Sequence, residues 1–356
     1  MTPRRIIGVE KNYDWGDENT IRHAQGLPST RGSKIAELWF GTHHMGPSVL
    51  GPAIDDPAGS GQMLAVNRAV GIDPQPMSSV TGEMTMLVKL LACAQPLSLQ
   101  THPTLEQARE GFAREETLGV PRDAPNRMYR DASDKPEMIV ALSRFEALCG
   151  FAPVDHSVDL LRDIGWHVES DYLRHNGIDK YMQWAFMQND NPAFGSAPQW
   201  LTGLASLHPG DRSLRVAPLL NHVILQEGDA LSLPAGNLHA YIRGFGLEVM
   251  KSSDNVIRAG FTPKHIDVAE LLRVVDTTPL PVPVVSAGPA GTYPSPSDAF
   301  TVGTIDTVDA HIDRHRVVYG IARQPQTRIV FPGPYLVPAG ESGRQWFDNG
   351  WVCTQL

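Results

Sequence analysis

Two kinds of hydrophobic pattern alternate along this chain. Short apolar runs of strand length occur in "MTMLVKLLA" (84–92), "EMIVAL" (137–142), "NHVILQEGDALSLPAG" (221–236) and "YGIARQPQTRIVF" (319–331). Helical signals are separate and clustered. "TLEQAREGFAREETLG" opens on Thr104 with Gln107 three residues later, the spacing of a capping box. "DHSVDLLRDIG" (155–165) and "DVAELLRVVD" (267–276) are amphipathic, and 170–206 reads mostly as helix and loop. From 277 to 298 the text becomes "TTPLPVPVVSAGPAGTYPSPSD", where proline density opposes strand pairing and predicts a surface connector. A β-rich tail of roughly sixty residues follows, small for a domain.

Composition narrows the class. With 356 residues the chain can build two or three packed units, and 42% hydrophobic against 19% charged residues is a globular balance. Gly 32 and Pro 29, widely spread, suit many short strands joined by turns. Lys+Arg 30 against Asp+Glu 39 gives −9, which argues against nonspecific nucleic-acid binding and requires a locally cationic site for any anionic substrate. Cys93, Cys149 and Cys353 never fall in a CxxC spacing and are expected to be buried thiols. The opening "MTPRRIIGVEKNYDWGDE" has no apolar signal region and no later run reaches membrane-span length, so the expectation is a cytoplasmic protein with no membrane partner.

Candidate chemistry gathers in four segments. In "LSLQTHP" (97–103), Gln100 and His102 lie two apart at the end of an apolar strand and so share one face. In "DKPEMIVAL", Lys135 and Glu137 repeat that spacing at a strand mouth. In "EGDALSLPAGNLHAY", a Gly228-Asp229 turn, an apolar strand and a Pro234-Ala235-Gly236 turn lead to His239, a pattern resembling the second metal-binding motif of the cupins. Gln100, His102, Glu137 and His239 together offer zinc an amide, a carboxylate and two imidazoles, with one anionic ligand leaving the ion net positive for Lewis-acid work. The fourth segment, "SSDNVIRAGFTPKH" (252–265), brings Arg258 and Lys264 to a glycine turn, cations suited to phosphate. Lys89, Ser98 and Lys135 are further candidates, and Lys89 must find water or an anion because it interrupts an apolar strand. The glycines Gly244 and Gly246 are expected to let the backbone approach a substrate closely. Finally, "LSLPAGNLH" (231–239) is echoed by "YLVPAGESG" (335–343), which hints at two related β units with the histidine only in the first.

These segments resemble the type I mannose-6-phosphate isomerases (phosphomannose isomerases). The matching text is "KNYDWG" (11–16), "AELWFGTHHMGPS" (36–48), "LVKLLACAQPLSLQTHP" (87–103), "YRDASDKPEMIVAL" (129–142), "FEALCGF" (145–151) and "LPAGNLHAYIRGFGLEVMKSSDNVIRAGFTPKH" (233–265). The resemblance implies a mainly β fold: a cupin-type jelly roll with an inserted α-helical region and a smaller C-terminal β unit. The expected jelly-roll parts are 1–103, 131–152 and 215–265, with a helical segment at 104–130 and a helical insertion at 153–214. A helix and Pro-rich connector occupies 266–298 and the C-terminal unit 299–356. The implied activity is interconversion of mannose 6-phosphate and fructose 6-phosphate through an enediol, a step on the way to GDP-mannose, in a monomer holding one zinc ion per chain. The family's ligands fall on Gln100, His102, Glu137 and His239. Its active-site positions fall on Arg258, Lys135, Glu248, His43, Tyr241 and Asp254, with Ser98, Lys89 and Lys264 toward phosphate or substrate. The base is left open among Glu248, His43, Lys135, a tyrosinate and zinc-bound water. The tail is only loosely similar to the family's second jelly roll. The alternatives are a cupin ketol isomerase for another sugar and a metal-bound sugar sensor; an iron cupin dioxygenase is disfavoured by Gln100.

Overall fold

The computed structural model describes residues 2–54, 75–280, 283–322 and 333–356. Among them two sheets form, and every strand pairing within those sheets is antiparallel. The eleven-stranded sheet is organised by one long strand, His239–Lys251. Its second half pairs with Met86–Cys93 and Glu137–Ala141, and its first half with Leu99–Thr101 and Phe145–Phe151. The change of partner falls at Gly244, whose φ of 142° and contact with Phe145 admit no side chain: an added Cβ would lie 2.7 Å from the ring. One strand thereby serves two halves of a curled sheet, as corner strands do in jelly rolls.

Alternation assigns the faces. Along Met86–Cys93, Met86, Val88, Leu90 and Ala92 pack outward against the second sheet, while Leu91 and Cys93 line the interior on the same side as Lys89. Along His239–Lys251, Ala240 and Ile242 pack outward against the helices, and Tyr241 turns inward. The helices Val154–Asp163, His167–Met187 and Gln199–Leu207 cover that outer face through Leu161, Tyr181, Leu201 and Leu204. The molecule is thus a sheet, a curled sheet and a helical layer in sequence.

Local expectations meet the structure closely where a side chain dictates them. Helix Leu105–Thr117 begins at Thr104, whose hydroxyl accepts from the Gln107 N–H at 3.2 Å while the Gln107 amide oxygen accepts from the Thr104 N–H at 2.9 Å. The 221–236 run is two strands, Leu220–Leu225 and Ala230–Leu233, parted by the Gly228-Asp229 turn. The Pro-Ala-Gly echo is a shared turn chemistry: Gly236 and Gly340 have φ of 80° and 81°.

Three expectations change. The proline-rich connector does pair: Val284–Val285 adds a short edge strand beside Ala230–Leu233. The 319–331 run is a strand over Arg316–Ala322, and the rest of it lies outside the described residues. The C-terminal unit is not self-contained. Its strands Phe300–Thr304, Arg316–Ala322, Gly333–Val337 and Phe347–Gln355 share a seven-stranded sheet with Arg4–Ile7, Val49–Ala53 and Gln75–Pro76 from the opposite end of the chain. Long-range pairing such as Arg4 opposite Leu336 leaves no local trace in sequence.

Candidate active site

The inner face of the curled sheet ends in a polar cluster. His102, Glu137 and His239 are each 2% exposed, and one ligand-capable atom from each lies within 4.8 Å of the others. The Glu137 carboxylate is 3.2 Å from His102 Nε2 and 3.4 Å from His239 Nε2. Strand register brings them together, because His239 pairs with Gln100 and the Gly236 N–H donates to the His102 carbonyl at 2.8 Å. Each imidazole is held from behind: His102 Nδ1 lies 2.7 Å from the Asn255 carbonyl, and His239 Nδ1 3.0 Å from the Asn237 carbonyl. A ring donating Nδ1–H to a carbonyl keeps its Nε2 lone pair free and aimed inward. Both Nε2 atoms are buried without a hydrogen-bond partner. Orphaned buried nitrogens around a buried carboxylate are costly unless a cation completes them, so this donor set fits a zinc ion. Gln100 stands beside them, its side-chain oxygen accepting from the Ser98 hydroxyl at 2.9 Å.

The electrostatics are tightly knit. Lys135 Nζ lies 2.8 Å from Glu137 and Lys89 Nζ 2.7 Å from Glu248, with Glu37 a further neighbour at 3.8 Å. The second pair is imposed by register, since Lys89 sits directly opposite Glu248. Burial would lower the Lys89 ammonium, but Glu248 and Glu37 outweigh it and hold it protonated. Burial lifts Glu248 above the ordinary carboxylate range against the pull of Lys89, with Glu137 and Glu37 adding to the rise. For Glu137, burial is overcome by Lys135 and the two histidines, and its carboxyl stays ionised well below 4.5. Burial, reinforced by Glu248 and Glu137, drives the Tyr241 phenol well above 10, so it is a neutral hydroxyl.

A cavity of about 320 Å³ is lined by residues including His43, His44, Glu83, Arg130, Asp131 and Asp254. His43 Nε2 faces Asp254 at 3.4 Å, and the His43 ring packs edge-on against Trp39. Arg258 lies in the strand Ile257–Gly260, opposite Gln100. Beyond it Phe261 takes a left-handed φ of 56°, supported by its N–H donating to Asp211 at 2.6 Å. Lys264 follows on the exposed side of that turn.

The structure brings His102, Glu137 and His239 together with Gln100 beside them, pairs Lys89 with Glu248 and Lys135 with Glu137, and sets His43 against Asp254. Gly244 and Gly246 are a correction: they back onto Phe145 and Ile139 rather than facing open space. Sequence reasoning passed over Glu37, Arg130 and Asn255. Asn255 is fully buried; its side-chain oxygen accepts from the Arg130 N–H at 2.7 Å, its amide donates to the Ser133 carbonyl at 2.8 Å, and its own carbonyl steadies His102. The only signal was its place beside Arg258 in "SSDNVIRAG".

Residues 4–154 match the family model for the catalytic domain of phosphomannose isomerase type I. The chain is 31% identical to the mannose-6-phosphate isomerase of Salmonella typhimurium over 364 residues, covering 93% of each. It is also 31% identical to that of Escherichia coli over 330 residues, covering 86% of this chain and 84% of the relative. A crystal structure of the Salmonella typhimurium enzyme bound to substrate (f6p) and zinc superimposes with a TM-score of 0.77 at 26% identity, covering all of both chains. The mainly β, cupin-type reading of the fold holds across that match. The chain belongs to the type I mannose-6-phosphate isomerase family.

Proposed function

We propose that this protein interconverts mannose 6-phosphate and fructose 6-phosphate by moving a proton between C2 and C1 through an enediol. The observation that carries the reading is the buried His102–Glu137–His239 cluster with two orphaned Nε2 atoms, set beside Gln100 and directly across a strand ladder from Arg258. Held by Gln100, His102, Glu137 and His239, a zinc ion would supply Lewis-acid polarisation of the sugar oxygens.

The chain's own residues account for the rest. Glu248 is the base: burial raises its affinity for a proton above that of an ordinary carboxylate, which favours its taking and returning one. Lys89, held charged beside it, fixes its orientation. Tyr241, kept protonated, can donate a hydrogen bond to oxygen but cannot itself act as a tyrosinate base at neutral pH. Arg258 and Lys135 supply positive charge where oxyanion character develops. His43 and Asp254, facing the open cavity, are placed to carry the proton of ring opening. Ser98 orients Gln100, and Lys264 meets the phosphate.

The test is turnover of mannose 6-phosphate in D2O. The reading predicts fructose 6-phosphate with deuterium at C1 in the fraction of turnovers where the proton on the base exchanges with solvent, and Glu248→Gln keeping its zinc while losing at least about a hundredfold in kcat. A Glu248→Gln variant that keeps its zinc and the parental kcat would contradict the base, and complete transfer of the C2 hydrogen to C1 by that variant would contradict the enediol in favour of a hydride shift.

A further inference from the structure

The segment "YRDASDKPE" (129–137) supplies Lys135 and Glu137 to the site, and "SSDN" (252–255) supplies Asp254. The two are joined by Asp131, which meets Ser253 across 122 positions of chain. Asp131 Oδ2 accepts from the Asp254 N–H at 2.9 Å. Its Oδ1 accepts from the Ser133 N–H at 2.9 Å and from the Asn255 side-chain amide at 3.2 Å. The Ser253 hydroxyl donates between the two oxygens, at 2.9 and 3.1 Å. The backbone closes the same joint: the Asp131 N–H donates to the Asn255 side-chain oxygen at 3.2 Å, and the Asn255 amide donates to the Asp131 carbonyl at 2.9 Å.

What these contacts fix faces the site. The Asp254 carboxylate stands 3.4 Å from His43 Nε2, and the next residue, Asn255, turns its carbonyl to His102 Nδ1 at 2.7 Å. Consecutive residues thus serve the cavity and the metal cluster, and one side chain holds the backbone they share. Asp131 is itself half-buried and lines the 320 Å³ cavity with His43, Ser253 and Asp254. An ionised carboxylate only accepts hydrogen bonds, which matches the donors gathered around it.

We propose that Asp131 is a positioning residue for the reaction: its carboxylate locks residues 253–255, so that Asp254 stays facing His43 while the Asn255 carbonyl stays behind His102. The catalytic consequence rests on the isomerase reading above; the consequence for the metal does not depend on the substrate. A carbonyl that drifts lets the His102 imidazole swing, which weakens its hold on an ion. An Asp254 that drifts loses its approach to the sugar, and small misplacements are costly in rate.

The experiment uses Asp131→Asn, which keeps the size of the side chain and removes its charge. An amide has one accepting oxygen and turns N–H donors toward groups that themselves donate. Either the Asp254 N–H or the Ser133 N–H and the Asn255 amide then lose their acceptor. In full-length protein we expect zinc affinity, read by competition with a chelator, to fall roughly tenfold. In zinc-saturated protein kcat for mannose 6-phosphate should fall at least about tenfold, with KM changed by less than about threefold, because Asp131 acts on the geometry of reaction rather than on binding. Ser253→Ala, which removes one donor and leaves the rest of the joint, should lose about threefold in zinc affinity and in kcat. A lowered melting temperature with parental zinc affinity and parental kcat would make Asp131 a merely structural residue and overturn the proposal. A loss in only one of the two constants would overturn the shared lock. If Asp131→Asn fails to fold, Ser253→Ala with both constants parental overturns it equally. A parent protein that binds zinc but does not turn over mannose 6-phosphate refutes the sugar reading, and the zinc affinity of Asp131→Asn then decides the lock by itself.

Discussion

At the scale of single residues, partners decide what each ionisable group does. Glu270 shows this away from the site. Burial would raise it, but hydrogen bonds from Arg273, Tyr129 and Arg114 outweigh burial and hold its carboxyl below 4.5. A carboxyl depressed by folding contributes stability that is present above its unfolded value and lost as pH falls through its folded one. Glu270→Gln should therefore lower the unfolding free energy by about 1–2 kcal/mol at neutral pH. That gap should narrow as the solution is acidified below about pH 4.5. Urea melts of parent and variant across that range check it, and a constant gap would contradict the assignment. His239→Ala tests the other buried group: it should cost at least about tenfold in zinc affinity, read by competition with a chelator, and an unchanged affinity would remove His239 from the ligand set. Individual ligands were legible in the sequence because strand alternation is local: two residues apart means one face. Asn255 and Glu37 were not, because a polar residue's role depends on what folds against it.

At the scale of elements, the fold places chemistry by register. Lys89 meets Glu248, and Gln100 meets both His239 and Arg258, because those strands pair as they do. The capping box at Thr104 was legible because all its atoms lie within four residues. The seat of the Arg258–Lys264 turn was not. There Asp211, from the helical insertion, accepts from the Ser213 N–H, the Ser213 hydroxyl and the Phe261 N–H. Gly260 lies so close that an added Cβ would stand 1.9 Å from the Ser213 hydroxyl. The insertion thus acts as a brace for the cationic turn. Asp211→Ala leaves the Phe261 N–H without its acceptor at a left-handed residue, which costs about 1–3 kcal/mol. We expect a KM for mannose 6-phosphate raised several-fold with zinc retained, measured by steady-state kinetics beside a thermal melt. A variant with parental KM and parental melting would show that the insertion does not steady this turn.

At the scale of the whole molecule, the seven-stranded sheet joins the two ends of the chain. Val302, Val317, Leu336 and Cys353 bury themselves with Ile6, Leu38, Val88 and Leu247 in one apolar layer. Truncation before residue 299 would strip that layer and leave Arg4–Ile7 without the strand Gly333–Val337. The tail therefore supports the catalytic half, although the site residues described all precede it. The truncated chain should be insoluble or show no cooperative urea transition; a soluble, cooperatively folded and active truncation would contradict this. Composition suggested a separable tail because proline marks the connector, whereas the pairing that binds it joins residues more than three hundred positions apart. Among the described residues no helix is long and apolar enough to cross a membrane. The central claim is that the buried cluster is a zinc site serving isomerisation of a sugar phosphate. Its most direct test is fructose 6-phosphate formation from mannose 6-phosphate by chelator-stripped protein, before and after zinc is returned. The account predicts no turnover in the stripped protein and full recovery at one zinc per chain. Turnover that is equal with and without zinc, or no turnover with one zinc bound, would contradict it.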